Sequence, residues 1–151
     1  MQQYAPGLSA RELDQALRGL LALERGCERL VCRYLADVAD QREYGELGWF
    51  SDVLHYARSR LGLGVKATRE RVRIGRALRT LPLIEQAFLN GAVNYSRVRE
   101  VTRVATAEDE PYWLELAKRL PVRELERQAV AQVGGRRLVD DQPAESRRAG
   151  V

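Results

Sequence analysis

The chain has 151 residues, about the length of one domain, and its 45% hydrophobic and 30% charged content argues against disorder for most of its length. Apolar runs are short and broken by Arg or Glu, so no stretch of about 18 apolar residues could cross a membrane, and the first residues lack the basic-then-apolar layout of a secretory signal. The net charge of +4 is modest but unevenly spread: Arg58 to Arg79 holds Arg58, Arg60, Lys66, Arg69, Arg71, Arg73, Arg76 and Arg79 against Glu70 alone.

Residues 1–8 read as a flexible lead-in. Ser9 and Glu12 form a capping box, S-x-x-E, which opens a helix. Leu13, Leu17, Leu20, Leu21, Leu23, Leu30, Val31, Tyr34, Leu35 and Val38 follow at helical spacing, which predicts one long helix, or a pair joined near Gly26, as far as Gln41. Tyr44, Gly45 and Gly48 mark the break. A second helix is expected over Ser51–Leu61, capped by Ser51, and the turn Leu61-Gly62-Leu63-Gly64 leads to a third over Val65–Thr80. Pro82 stops it and begins a fourth, which closes at Asn90-Gly91. Asn94 caps a fifth over Tyr95–Val104. Thr106 with Asp109 caps a sixth, whose first turn holds Glu108, Asp109 and Glu110. Pro121 begins a seventh that runs to Val133 and ends at Gly134-Gly135. Residues 134–151 read as a disordered tail. No alternating strand pattern occurs. The expectation is an all-α, multi-helix orthogonal bundle over residues 9–133, with a helix-turn-helix-like segment at 51–80.

That segment is the strongest functional signal. A helix, a short Gly turn and an Arg-rich helix is the layout of a helix-turn-helix. At about 100° per residue, Lys66, Arg69, Arg73 and Arg76 fall within an arc of about 80°. Val65, Thr68, Val72, Ile74, Gly75 and Leu78 share the other side, with Arg71 as the exception. A basic stripe of that pitch suits phosphates or a major groove, and Arg can hold either in a bidentate way. The expected DNA contacts are Lys66, Arg69, Arg73 and Arg76, flanked by Arg58, Arg60 and Arg79. The competing reading is a solvated face in an Arg-rich protein.

Other chemistry is thinly represented. His55 is the only histidine, too few for a zinc or nuclease centre, and reads as a half-buried helix residue. Cys27 and Cys32 lie about 140° apart on a helix and read as small buried thiols in a reducing cytoplasm. Trp49-Phe50 and Tyr112-Trp113 could stack on bases, but each sits beside an apolar face and reads as a core anchor. No catalytic site, cofactor, metal or small-molecule substrate is indicated.

The run from Tyr44 to Pro82, with Leu61-Gly62-Leu63, Leu81-Pro82, Asn90-Gly91, Arg103-Val104-Ala105-Thr106, Trp113-Leu114 and Val122-Arg123-Glu124-Leu125-Glu126 after it, resembles the helical N-terminal region ahead of the nuclease domain in bacterial HNH endonuclease-like proteins. The resemblance covers residues 9–133. Those proteins carry a His- and Asn-bearing motif downstream. Here the chain closes soon after Gly135 without a second His, so nuclease chemistry is not expected to carry over. The order Leu-Gly, basic helix, Leu-Pro, Asn-Gly is also similar to the helix-turn-helix of ParB partition proteins, with an interval about one turn longer. The expectation is a non-catalytic, cytoplasmic DNA-binding module. The alternative is an interaction module, a homodimer through the Leu-rich N-terminal helix or a partner of a nuclease subunit.

Overall fold

The structure, a computed structural model, describes residues 3–41 and 47–140, with side chains described up to Arg136. It is all-helical: among the described residues there are seven α-helices and no strand. Helix α1 spans Ala10–Gln41 as one unbroken rod of 32 residues. Its capping box is formed: the Ser9 N–H donates to Glu12 Oε2 at 2.9 Å and the Glu12 N–H donates to Ser9 Oγ at 3.3 Å. Gly26 does not interrupt it. The expected break at Tyr44 and Gly45 lies outside the described residues.

Helix α2, Val53–Tyr56, continues into a π-helical turn over Ala57–Leu61. Its cap is Asp52 and not Ser51: Asp52 Oδ1 accepts the His55 N–H at 2.9 Å. Both residues are good caps, and the one whose oxygen reaches the third N–H wins. Helices α3 (Val65–Leu78), α4 (Pro82–Leu89), α5 (Tyr95–Val101) and α6 (Glu110–Arg119) follow the expected order. Helix α7 spans Val122–Asp140 and runs straight through Gly134 and Gly135. This corrects the expected end at Val133 and, as far as Asp140, the expected disorder of residues 134–151. Glycine weakens a helix interior by about 1 kcal/mol but does not forbid it. Here Val133 packs on the core and Arg136 pairs with Asp109 at 3.6 Å, so tertiary contacts hold the turn. Residues beyond Asp140 lie outside those described.

The core gathers Ile74 and Leu78 of α3, Ile84 and Phe88 of α4, Val98 and Val101 of α5, Trp113 and Leu116 of α6 and Leu125 of α7. Helix α3 is central, touching α1, α2, α4 and α5. Its closest approach is at Gly75, where a Cβ would sit 2.0 Å from the Cys32 carbonyl oxygen. Only glycine lets the two backbones meet there. Ion pairs reinforce the joint: Arg29 reaches Glu85 of α4 at 2.9 Å, with Arg33 at 3.7 Å. Glu110, at the start of α6, is buried and accepts the Ile84 N–H at 2.8 Å, so one acid caps the first turn of α4 across the bundle.

Candidate nucleic-acid interface

The turn between α2 and α3 is built by backbone requirements. Gly62 closes the π turn at φ 69°, in the left-handed region that glycine enters without strain. The Leu63 N–H then donates back to the Ala57 carbonyl at 3.1 Å. Gly64 starts α3, and the buried Thr68 hydroxyl donates to its carbonyl at 2.8 Å. Helix α3 therefore leaves the turn with Lys66 and Arg69 outward.

The seven expected contact residues divide into groups. Arg58 and Arg60 on the π turn, and Lys66 and Arg69 on the first half of α3, are exposed. None of the four has an acidic partner among the described residues. Arg73 points inward instead. It is half-buried and donates to Thr102 Oγ1 at 3.1 Å and to the Arg99 carbonyl at 2.9 Å, which finishes the C-terminal end of α5. Burial, and then the charge of Arg103, push its pKa below the usual guanidinium value. Arg76 donates twice to Asp40 of α1, at 3.0 and 2.8 Å. Arg79 donates to Asp37 at 3.0 Å and also to Asp40. Those guanidinium bonds hold the Asp40 carboxyl below its ordinary value of 3.8 and raise the pKa of Arg79. The stripe read from the helical wheel is thus free at its start, tied inward at its middle and neutralised at its end.

Arg71, the exception on the wheel, lies 5.4 Å over the Tyr95 ring and donates to the Ala67 carbonyl at 3.2 Å. The Tyr95 hydroxyl donates to Glu70 at 2.7 Å. Burial, and then that hydrogen bond, raise the Tyr95 pKa, so the phenol stays neutral. The one acid in the basic window is therefore occupied.

Two clefts flank this face. One, of about 630 Å³, is lined by Lys66, Arg69, Arg73 and Arg103, with Glu70 among them, and by Val130 and Val133 of α7. The other, of about 400 Å³, lies toward α2, with Val53, Leu54, Asp52 and Arg76 around it. Arg69 borders both. Arg103 escaped the sequence reading because it follows α5, in a stretch of balanced charge. Only the fold brings it to α3.

The remaining candidates are also placed. His55 is half-buried and accepts from the Ser51 N–H at 3.2 Å, with the rings of Trp49 and Phe50 edge-on to it at 6.0 and 5.2 Å. Trp49 is 82% exposed and does not anchor the core, contrary to expectation, because it precedes α2 and has no helical face to share. Trp113 is buried as expected, while Tyr112 is exposed. Cys32 is buried, and burial pushes its thiol pKa up to about 11. Cys27 is exposed, a correction that follows from its position on the outer side of α1. Among the described residues, no three His, Cys, Asp or Glu side chains gather as metal ligands, and no helix is long and apolar enough to cross a membrane. Comparisons with family models, with curated proteins and with solved structures gave no match for this chain.

Proposed function

We propose that this chain is a DNA-binding helical module that grips duplex phosphates around the Gly62 turn and does not cleave them. The observation that carries this reading is the set of exposed cations without acidic partners: Arg58 and Arg60 before the turn, Lys66 and Arg69 after it. Unpaired cations meet a polyanion without first giving up a protein partner, and each contact releases condensed counterions. Lys66 and Arg69 also line the 630 Å³ cleft toward α7, together with Arg103, which pairs with Glu100 at 3.8 Å. The resemblance of residues 9–133 to the region ahead of HNH nuclease domains supports a role beside DNA, in the cytoplasm.

The contact set is narrower than the helical wheel implies. Arg73 supports α5, and Arg76 and Arg79 are held by Asp40 and Asp37, so a four-residue stripe reading base edges is not proposed. Phosphate contacts position a duplex without selecting its sequence.

A titration of a short duplex at two salt concentrations tests this. With about four phosphate contacts, affinity should fall roughly a hundredfold between about 50 and 200 mM salt. Lys66→Glu combined with Arg69→Glu should abolish binding and leave the helical circular dichroism unchanged. No retention of DNA at low salt overturns the proposal.

A further inference from the structure

The first half of α1 is almost wholly exposed. From Ala10 to Glu24 every residue is exposed except the half-buried Ala16. Leu13, Leu20, Leu23, Leu30 and Tyr34 are 48, 47, 63, 38 and 64% exposed. With Ala16 and Cys27 they form a regular series, 13, 16, 20, 23, 27, 30, 34, whose steps alternate between three and four. That is the heptad spacing of a coiled-coil seam, held for about three heptads. The docked face of α1, Cys32, Leu35 and Ala36, lies about 150° around the helix from this seam. The lead-in residues Gln3, Tyr4, Ala5 and Leu8 share an open cleft of about 470 Å³ with Leu13, Ala16, Leu17 and Leu20, and the three leucines stay exposed beside them, so the lead-in must shift aside where a partner helix packs.

We infer that the seam pairs with α1 of a second copy of this chain, antiparallel, about a two-fold axis between Leu20 and Leu23. In an antiparallel pair, each position of one core column faces the other column of the partner helix. This places Leu13 against Leu30 of the second copy, Ala16 against Cys27, and Leu20 against Leu23. Large meets large and small meets small. One flank then sets Gly19 against Gly26, with Glu12 toward Arg33, whose guanidinium already reaches Glu85. Nothing in the chain lies within 4 Å of a Cβ built at either glycine, so its own packing gives no reason for glycine at these two helix-weakening sites. Face to face across a dimer they let the two backbones close. The other flank sets Leu17 along the stem of Glu24 and Ala10 beside Val31, without like charges meeting. The parallel alternative faces Glu12 with Leu17, Gly19 with Glu24 and Gly26 with Val31, and none of these pairs is complementary. Both globular bodies sit on the far sides of the paired helices, so they do not collide.

Cysteine trapping in the full chain tests the pairing and its direction. Cys32 is buried and Cys27 exposed, so oxidation reads Cys27. In the antiparallel register the two Cys27 residues are about 16 Å apart along the axis, from 11 residues at 1.5 Å each. Mild oxidation should leave the unaltered protein uncrosslinked. Ala16→Cys should yield a covalent dimer, and adding Cys27→Ser should remove it. Light scattering should report a dimer for the unaltered chain and a monomer for Leu20→Asp with Leu23→Asp. Both leucines are exposed in the single chain, so thermal unfolding of a dilute sample should move little. Efficient crosslinking through Cys27 in the unaltered protein overturns the register. A monomer at every concentration, or a dimer that survives the Asp pair, overturns the interface.

Discussion

The basic face of α3 carries the same chemistry from Lys66 to Arg76, with Arg79 just past its end, yet its two ends differ in what they can do. Lys66 and Arg69 face solvent without acidic partners, whereas Arg76 and Arg79 are held by Asp40 and Asp37. A helical wheel cannot separate Arg76 from Lys66 and Arg69, because it contains only α3. The difference comes from α1, which docks along the far end of α3 and delivers two carboxylates there, while its own first half turns away from the body. A cation's availability is thus set by the neighbour the fold brings, not by its place on the wheel.

The contrast can be broken most severely at the helix crossing. A side chain at Gly75 must displace the Cys32 carbonyl, so Gly75→Val should cost more than the 1–3 kcal/mol or so typical of overpacking. Calorimetry should show a melting temperature lower by about 10 °C or more, or no folded protein. A less disruptive comparison removes charge at each end in turn. Lys66→Ala with Arg69→Ala should reduce the slope of log affinity against log salt by about 2, while Arg76→Ala with Arg79→Ala should change it by less than about 0.5. Equal changes at both ends would remove the distinction. Conversely, Asp37→Asn with Asp40→Asn releases the masked guanidiniums and should tighten duplex binding by roughly threefold to tenfold at low salt. It should also lower thermal stability slightly, as expected for an exposed ion pair.

The smallest effect concerns pH. The Asp40 carboxyl titrates below its ordinary 3.8 when folded, so its contribution is complete above that value and fades as pH falls through the depressed one. Acid titration of thermal stability should therefore be flat from pH 7 down to about 5 for this pair and then decline below about 4. Asp40→Asn should reduce that acid-side decline and leave the neutral region nearly unchanged.

Much of the architecture was legible along the chain. The Ser9 capping box, Gly62, Pro82 and Asn94 each act through bonds within a few residues, so a local reading places the helices around them. The misses share a physical cause. Gly134-Gly135 looks like a stop until Val133 and Arg136 find partners on the body. Arg73 looks outward until α5 presents the Thr102 hydroxyl and the Arg99 carbonyl. Glu110 looks like a local first-turn acid until α4 offers it the Ile84 N–H. Leu13 to Leu30 of α1 look like a core stripe, yet of that series the body buries Leu35, beside Cys32 and Ala36. In each case the deciding contact is remote in sequence, and no periodicity records it.

The Gly75 crossing also has a mechanical side. Helix α1 is a rod of 32 residues, about 48 Å long at 1.5 Å per residue, gripped near Cys32 with its first half free. Ser9 lies 23 residues from that grip, a lever arm of about 35 Å. A tilt of about 10° at the grip sweeps the free tip through roughly 6 Å, about the pitch of one helical turn. A single hydrogen in place of a methyl at residue 75 therefore aims the far end of the longest element in the molecule.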